Sequence, residues 1–293
     1  MFAHENRPIR GIIFILMSII LGLIAGLLIK KTAVETNLVT TLFFRFVFSV
    51  PLLLFFAVIA RGKSAFKIYQ KKTMAIRIIF GFLGMVFWIL AIRNLPLGQA
   101  TALFQSSVIF VTILSPFLLK ETVGIYRWSS VVLGILGIFL LTSPFSEEIS
   151  FSIIYGVLAA ISGAILSISL RRLGKADHSL SVALIYNSSA ALLMIFLIIF
   201  SPVSYLVINS IVIRDLILLG FVTSISQVFF TGAYHYVDAV IVTSLRYLQV
   251  PLAGVVAFTL FEEVMTPAEI LGASIVIASC LIIGWREIQY KEN

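Results

Sequence analysis

Ten apolar runs, each about as long as a bilayer is thick, follow one another along this chain with only short connections. They cover Gly11–Ile29, Leu38–Ala60, Thr73–Ile92, Gln99–Leu119, Ile125–Ser143, Phe151–Leu170, Leu180–Phe200, Asp215–Tyr234, Ala239–Phe261 and Pro267–Trp285. A helix crosses the hydrocarbon core in about 20 residues. Only helices satisfy every backbone group within such a segment, so the spacing predicts an all-α polytopic membrane protein with ten transmembrane helices. Composition agrees: of 293 residues, 60% are hydrophobic and 12% charged, and the mean hydropathy is +1.12. Soluble domains usually carry about a quarter charged residues. Gly11–Ile29 is too long for a signal-peptide core and lacks a convincing cleavage site, so a retained first span is expected.

Charge placement sets the orientation. The formal net charge is +8, but most Lys and Arg lie in the short connections. With the N-terminus inside, fourteen fall at cytoplasmic ends, including the basic connection Arg61–Lys72. The outer connections hold four: Lys30, Lys31, Arg93 and Arg214. This is the positive-inside pattern, with both termini in the cytoplasm. No basic stripe interleaves with aromatics on a soluble face, so no nucleic-acid partner is expected.

The chain also repeats itself. AIRNLPLGQATALFQSSVIFVTILSPFLLKE, from Ala91 to Glu121, returns 142 residues later as AYHYVDAVIVTSLRYLQVPLAGVVAFTLFEE, from Ala233 to Glu263. Ala91, Thr101, Leu103, Val108, Leu118 and Glu121 fall on identical residues, and Arg93 on His235. The same shift sets Arg45 on Asn187, Phe44 on Tyr186 and Trp88 on Phe230. Ten spans divide into five plus five, and five is odd, so the second copy enters from the opposite side. The repeats are inverted, with expected domains 1–146 and 147–293.

Chemistry-bearing groups inside the spans are few. Arg246 lies about seven residues into the ninth run, roughly 10 Å deep at 1.5 Å per residue. A guanidinium at that depth faces a cavity or a partner. It can bind a substrate carboxylate or phosphate; the competing readings are snorkelling to the surface or pairing with Asp238. Arg45 sits at similar depth, and there a structural role is favoured, by snorkelling outward or bonding exposed carbonyls. Gln105, Asn187, Gln227, Tyr247 and Gln249 are uncharged polar groups in spans, with Tyr186, Tyr234, Trp88 and Phe87 near them. Singly, each more often bonds a neighbouring helix. Together they have the make-up of a small-molecule pocket, and Gln105 and Tyr247 correspond across the repeat.

Carboxylates are confined to span ends, among them Glu121, Glu147, Glu148, Asp238 and Glu263, so no buried-acid proton relay is indicated. His235 is an interfacial candidate for titration near neutral pH. His4, His178 and His235 are scattered and Cys280 is the lone cysteine, so neither a disulfide nor a metal site is expected. No phosphate-binding loop or cofactor motif is present. Gly22 and Gly26, and Ser130 with Gly134, let helices approach closely; intramolecular packing is preferred to dimerisation, and the expected state is a monomer or homodimer. Pro116 and Pro251 are candidate helix breaks.

The chain resembles the drug/metabolite transporter superfamily in its EamA-type ten-helix branch. The matching residues are Arg77, Gly81, Gly84 and Trp88, Leu95-Pro96-Leu97, Ala100-Thr101-Ala102-Leu103, Lys120-Glu121-Thr122-Val123-Gly124, Arg127-Trp128, Gly134 and Gly137. In the second half they are Tyr247, Pro251, Glu263, Thr266 and Gly272. The departure is at Ile109, where members often carry proline; here Pro116 follows about two turns later, which displaces the expected bend. The resemblance implies a secondary transporter in a bacterial cytoplasmic membrane, without a cofactor, with a cavity between two halves that rock around it. Family solutes include amino acids, S-adenosylmethionine, riboflavin, nucleotide-sugar-type molecules and drugs. Substrate-binding candidates are Arg246, Gln105, Tyr247, Trp88, Asn187, Tyr186 and Gln227, with no catalytic residue. The alternative is a membrane-embedded enzyme on a lipid or isoprenoid, for which no acid–base or metal constellation is found.

Overall fold

A computed structural model describes residues 8–118, 124–141, 151–174, 176–200, 209–236 and 245–292. Among them every regular element is a helix. These are α1 (Pro8–Thr32), α2 (Leu38–Val47), α3 (Val50–Arg61), a 3-10 turn (Gly62–Phe66), α4 (Lys71–Asn94), α5 (Leu97–Gln105) and α6 (Ser107–Leu118). They continue with α7 (Ile125–Leu141), α8 (Ile153–Leu173), α9 (Ser179–Phe200), α10 (Ser210–Tyr236), α11 (Gln249–Phe261) and α12 (Pro267–Glu292). Among the described residues, seven stretches are long and apolar enough to cross a membrane, and three shorter apolar helices lie at Trp128–Leu140, Gln249–Phe261 and Pro267–Ser279. The all-α polytopic architecture is therefore as expected. Many large apolar side chains face outward, such as Phe55, Ile59, Phe258 and Leu260; in a bilayer that surface costs nothing, because the solvent is hydrocarbon. Asp238, Glu121, Glu147, Glu148 and the side chains of Tyr234, His235 and Cys280 lie outside the described residues.

The chain folds into two compact units, Met1–Phe82 with Ser169–Tyr236 (unit 1) and Leu83–Ile168 with Val237–Asn293 (unit 2). Each draws helices from both sequence repeats, and α4 and α8 run from one unit into the other.

In unit 1, α1 lies along α10. Ser226 Oγ donates to the Ser18 carbonyl at 3.1 Å, and a Cβ on Gly232 would stand 2.9 Å from the Phe14 ring. Asn37 caps α2, accepting from Thr40 N at 2.8 Å. Asp177 accepts from the backbone amides of Tyr69 (2.7 Å) and Gln70 (3.2 Å), whose donors would otherwise be unmet just before α4. Lys31 Nζ meets Asp215 at 2.7 Å.

In unit 2, α7 packs closely on α12 at its small residues. Ser279 Oγ donates to the Ser130 carbonyl at 2.6 Å. A Cβ on Gly137 would fall 2.9 Å from Val276 N and 3.0 Å from the Gly272 carbonyl oxygen. The small residues Ser130, Gly134 and Gly137 thus serve packing inside this unit. The start of α12 is a capping box in the sequence TPAE: Glu269 Oε2 accepts from Thr266 N (2.7 Å), and Thr266 Oγ1 accepts from Glu269 N (3.3 Å). Glu269 also accepts from Gln99 Nε2 at 3.1 Å, and Glu263 accepts from Leu97 N at 2.9 Å. Two carboxylates therefore hold the N-terminal turn of α5, where the helix dipole favours them.

α11 ends at Glu262, whose φ of 56° is left-handed. It is the one non-glycine residue with positive φ among the described residues, and Glu263 N closes the turn on the Ala257 carbonyl at 3.1 Å. Glycine carries no Cβ penalty there. Glu262→Gly should stabilise the protein by about 1 kcal/mol, read as a raised thermal midpoint in detergent.

Candidate functional site

Among the described residues, three of the ten runs are broken. The second breaks at Phe48–Ser49, between α2 and α3; the fourth at Ser106, between α5 and α6; the ninth at Tyr247–Leu248, just before α11. The fourth and ninth breaks fall at the same place in the two repeats, since Ser106 and Leu248 are 142 residues apart. Proline does not explain this. Pro116 lies inside α6, in its last turn, and the helix runs through it, so the expected break at Pro116 gives way to one at Ser106. Pro251 is the third residue of α11, where its missing N–H has no intrahelical partner to lose. At Ser106 the chain tightens instead. Ser106 Oγ donates to the Leu103 carbonyl at 2.6 Å, and Ile109 N donates to the Ser106 carbonyl at 2.9 Å. In the ninth run Leu248 N bonds Leu245 O (3.1 Å) and Val250 N bonds Tyr247 O (3.0 Å). The three backbone bonds are three-residue steps, the signature of 3-10 winding, and the Ser106 hydroxyl adds a side-chain bond at the end of α5.

In unit 2 the two breaks meet. Gln105, the last residue of α5, is 4% exposed and donates Nε2 to the Arg246 carbonyl at 2.7 Å. Its repeat counterpart Tyr247 is buried in a cluster with Ile109, Val131 and Val276. Arg246 is half-buried beside it. Trp88, on α4, packs its ring 4.7 Å from Phe104. The close backbone here needs small residues: a Cβ on Gly84 would stand 3.2 Å from Ser162 Cβ, and one on Gly163 3.3 Å from the Phe104 ring. The structure thus brings Trp88, Gln105, Arg246 and Tyr247 into one unit around a paired unwinding.

In unit 1 the other three candidates form one network. Asn187 is 1% exposed. Its Nδ2 donates to the Ala183 carbonyl (2.8 Å) and to Gln227 Oε1 (3.0 Å), and its Oδ1 accepts from Ser49 Oγ (3.1 Å). Asn187 is therefore nearly saturated, while its bond to Gln227 Oε1 turns the Gln227 amide nitrogen the other way. Ser49 also donates to the Phe46 carbonyl at 2.9 Å, which places the second break at this network. Tyr186 donates its hydroxyl to the Gly81 carbonyl at 3.0 Å. The Arg77 guanidinium lies over the Tyr186 ring at 3.9 Å, and the Arg45 guanidinium over the Phe46 ring at 4.3 Å.

Arg45 does not snorkel. It is 6% exposed and Arg77 5%. The sequence placed Arg77 inside an apolar run and in the family match but gave it no role, and it did not single out Ser49. The available signal for Arg77 was a cation within an apolar run; for a lone serine there was none.

The fold and the paired breaks define a polytopic membrane protein built on inverted repeats with discontinuous helices, the architecture of secondary transporters. The model of the EamA-like transporter family matches twice, over residues 9–143 and 150–285. The chain belongs to that family. It is 28% identical to the S-adenosylmethionine uptake transporter of Rickettsia prowazekii, over 95% of this chain and 94% of that one. It is 24% identical to the pseudopaline exporter of Pseudomonas aeruginosa, covering 87% and 89%, and 23% identical to the riboflavin transporter of Rhizobium johnstonii, covering 85% and 80%. A solved crystal structure shares the fold at a TM-score of 0.60 and 18% identity, covering 96% of this chain and 98% of that one.

Proposed function

We propose that this protein is a secondary transporter that moves a small organic metabolite across the cytoplasmic membrane by alternating access. The observation that supports it most is the meeting of two helix breaks at repeat-equivalent positions in unit 2, closed by Gln105 on the Arg246 carbonyl. Unwound backbone in a span is tolerated where it lines a cavity or is held by neighbours, and in transporters it marks the solute site. Solute contacts are assigned to Arg246, Gln105, Tyr247 and Trp88 in unit 2 and to Tyr186, Asn187 and Gln227 in unit 1. Arg246 supplies a charged donor, the amides supply directional bonds, and the rings supply flat apolar contact. The relatives' solutes suggest an amino-acid-, S-adenosylmethionine- or riboflavin-like molecule. The charge asymmetry supports cytoplasmic termini.

The test is uptake into proteoliposomes of labelled S-adenosylmethionine, riboflavin and a panel of amino acids. At least one should accumulate, and Arg246→Ala should cut uptake of an anionic or zwitterionic solute by roughly tenfold or more, as loss of a charge-assisted bond does. No movement of any of them, with a modified lipid appearing instead, overturns the reading in favour of an enzyme. Undiminished uptake by Arg246→Ala removes Arg246 from the site.

A further inference from the structure

Unit 1 buries two guanidiniums with no anion paired to them among the described residues. Arg45 on α2 and Arg77 on α4 are 6% and 5% exposed. Nε and Nη1 of each are buried without a hydrogen-bond partner. Lys31 and Arg214 both pair with Asp215. Asp177 is occupied by the Tyr69 and Gln70 amides. Arginine does not escape burial by losing its proton, and a buried charge is costly unless paired. A second cation nearby raises that cost, and the two are joined through their rings, which meet at 5.7 Å.

What surrounds the two cations is aromatic and preformed. Arg77 lies over Tyr186, Arg45 over Phe46, and the Phe46 and Tyr186 rings meet edge to face at 5.7 Å. Phe82 stacks on Phe46 at 5.8 Å. The Tyr186 hydroxyl is tied to the Gly81 carbonyl, and a Cβ on Gly81 would collide with Arg77 Nη1 and stand 2.9 Å from the Tyr186 ring. Glycine is therefore what lets Arg77 reach the ring. Cation–π contact offsets part of the burial cost but leaves the Nε and Nη1 donors of each arginine unused. The cluster continues through Asn187, next to Tyr186, to the half-buried Gln227.

We infer that Arg45 and Arg77 form an anion site, framed by Phe46 and Tyr186, that takes the carboxylate of the transported solute. This rests on the transporter reading and narrows it: the solute carries a carboxylate beside a part flat enough to lie among the rings. Guanidiniums match a carboxylate in plane and charge. A site filled only when solute arrives also accounts for donors otherwise left unmet.

Two measurements on the full chain test this. First, the protein in lipid nanodiscs is melted in increasing acetate, benzoate or L-methionine, with chloride and phosphate as inorganic arms. Carboxylates should raise the midpoint of the wild type saturably. Arg45→Gln and Arg77→Gln should weaken that response by about tenfold or more in apparent Kd. Where a glutamine variant is not monodisperse, Arg45→Lys or Arg77→Lys keeps the charge, loses the planar fork and should show the same loss. Equal responses in wild type and variants overturn the site. An equal effect of chloride or phosphate means an adventitious ion only, and overturns the carboxylate assignment. Second, proteoliposomes are offered S-adenosylmethionine and its decarboxylated counterpart. Uptake should favour the carboxylate form and fall in both glutamine variants. Equal uptake of the two forms, or uptake unchanged in the variants, overturns the inference while leaving transport intact. Arginine-dependent carboxylate binding without movement of any solute upholds the anion site and overturns the transporter reading.

Discussion

Gly137→Leu should prevent unit 2 from folding. A Cβ at this position would meet backbone, with Val276 N at 2.9 Å and the Gly272 carbonyl oxygen at 3.0 Å. A flexible side chain can move aside; a helix backbone cannot without separating α7 from α12 along its length. That pairing also carries the Ser279–Ser130 bond and the Ile109–Val131–Tyr247–Val276 cluster. Overpacking a core costs about 1–3 kcal/mol when side chains can give, and leucine here adds the loss of helix contact to that. The expected result is no monodisperse peak in detergent, with Gly137→Ala folded but melting lower. Gly254→Ala is the matched control, since a Cβ there meets nothing within 4 Å; it should melt at or above the wild-type temperature, because alanine favours helix over glycine. A Gly137→Leu protein that melts like the wild type would refute the close pairing of α7 and α12.

Gln105→Leu should uncouple the two breaks. Its Nε2 is the donor on the Arg246 carbonyl at 2.7 Å, and Gln105 is buried at the end of α5. Leucine has similar volume, so the change removes the bond with little change of shape. Losing a donor from a buried carbonyl costs about 1–3 kcal/mol. The geometry that sets Arg246 and Tyr247 should loosen with it. Uptake should fall by roughly tenfold or more at unchanged expression, while Gln105→Glu, which keeps the shape but carries no amide donor, should fall comparably. Wild-type uptake in both variants would reduce Gln105 to packing.

These two positions were not equally legible in the sequence. Gln105 stood out as a polar residue in an apolar run whose repeat counterpart, Tyr247, is also polar. Gly137 appeared in a family pattern, but nothing local says which helix it faces. The breaks were harder. Proline suggested Pro116 and Pro251, because a missing N–H is visible in the sequence. The actual breaks fall at Ser106 and Tyr247–Leu248, where the winding tightens and a cross-chain bond from Gln105 holds one side to the other. Pro116 is harmless in a last turn, and Pro251 sits where helices tolerate proline. Arg77 was passed over for a related reason: one cation near the end of a run reads as interfacial until its ring partner, 109 residues away on α9, is known.

Hydrophobic run length, the distribution of Lys and Arg, and the 142-residue repeat determined by themselves that this chain is a helical membrane protein of two five-span halves. Those properties follow from bilayer thickness and from the period of the chain, both of which act locally. Which helices share a compact unit was decided only by tertiary structure. So were the partners of each buried donor and the place where helices unwind. Hydrogen bonds and cation–π contacts between residues such as Ser49 and Asn187, or Arg77 and Tyr186, join positions more than a hundred apart. In apolar helices of near-uniform composition, no local pattern marks those pairs.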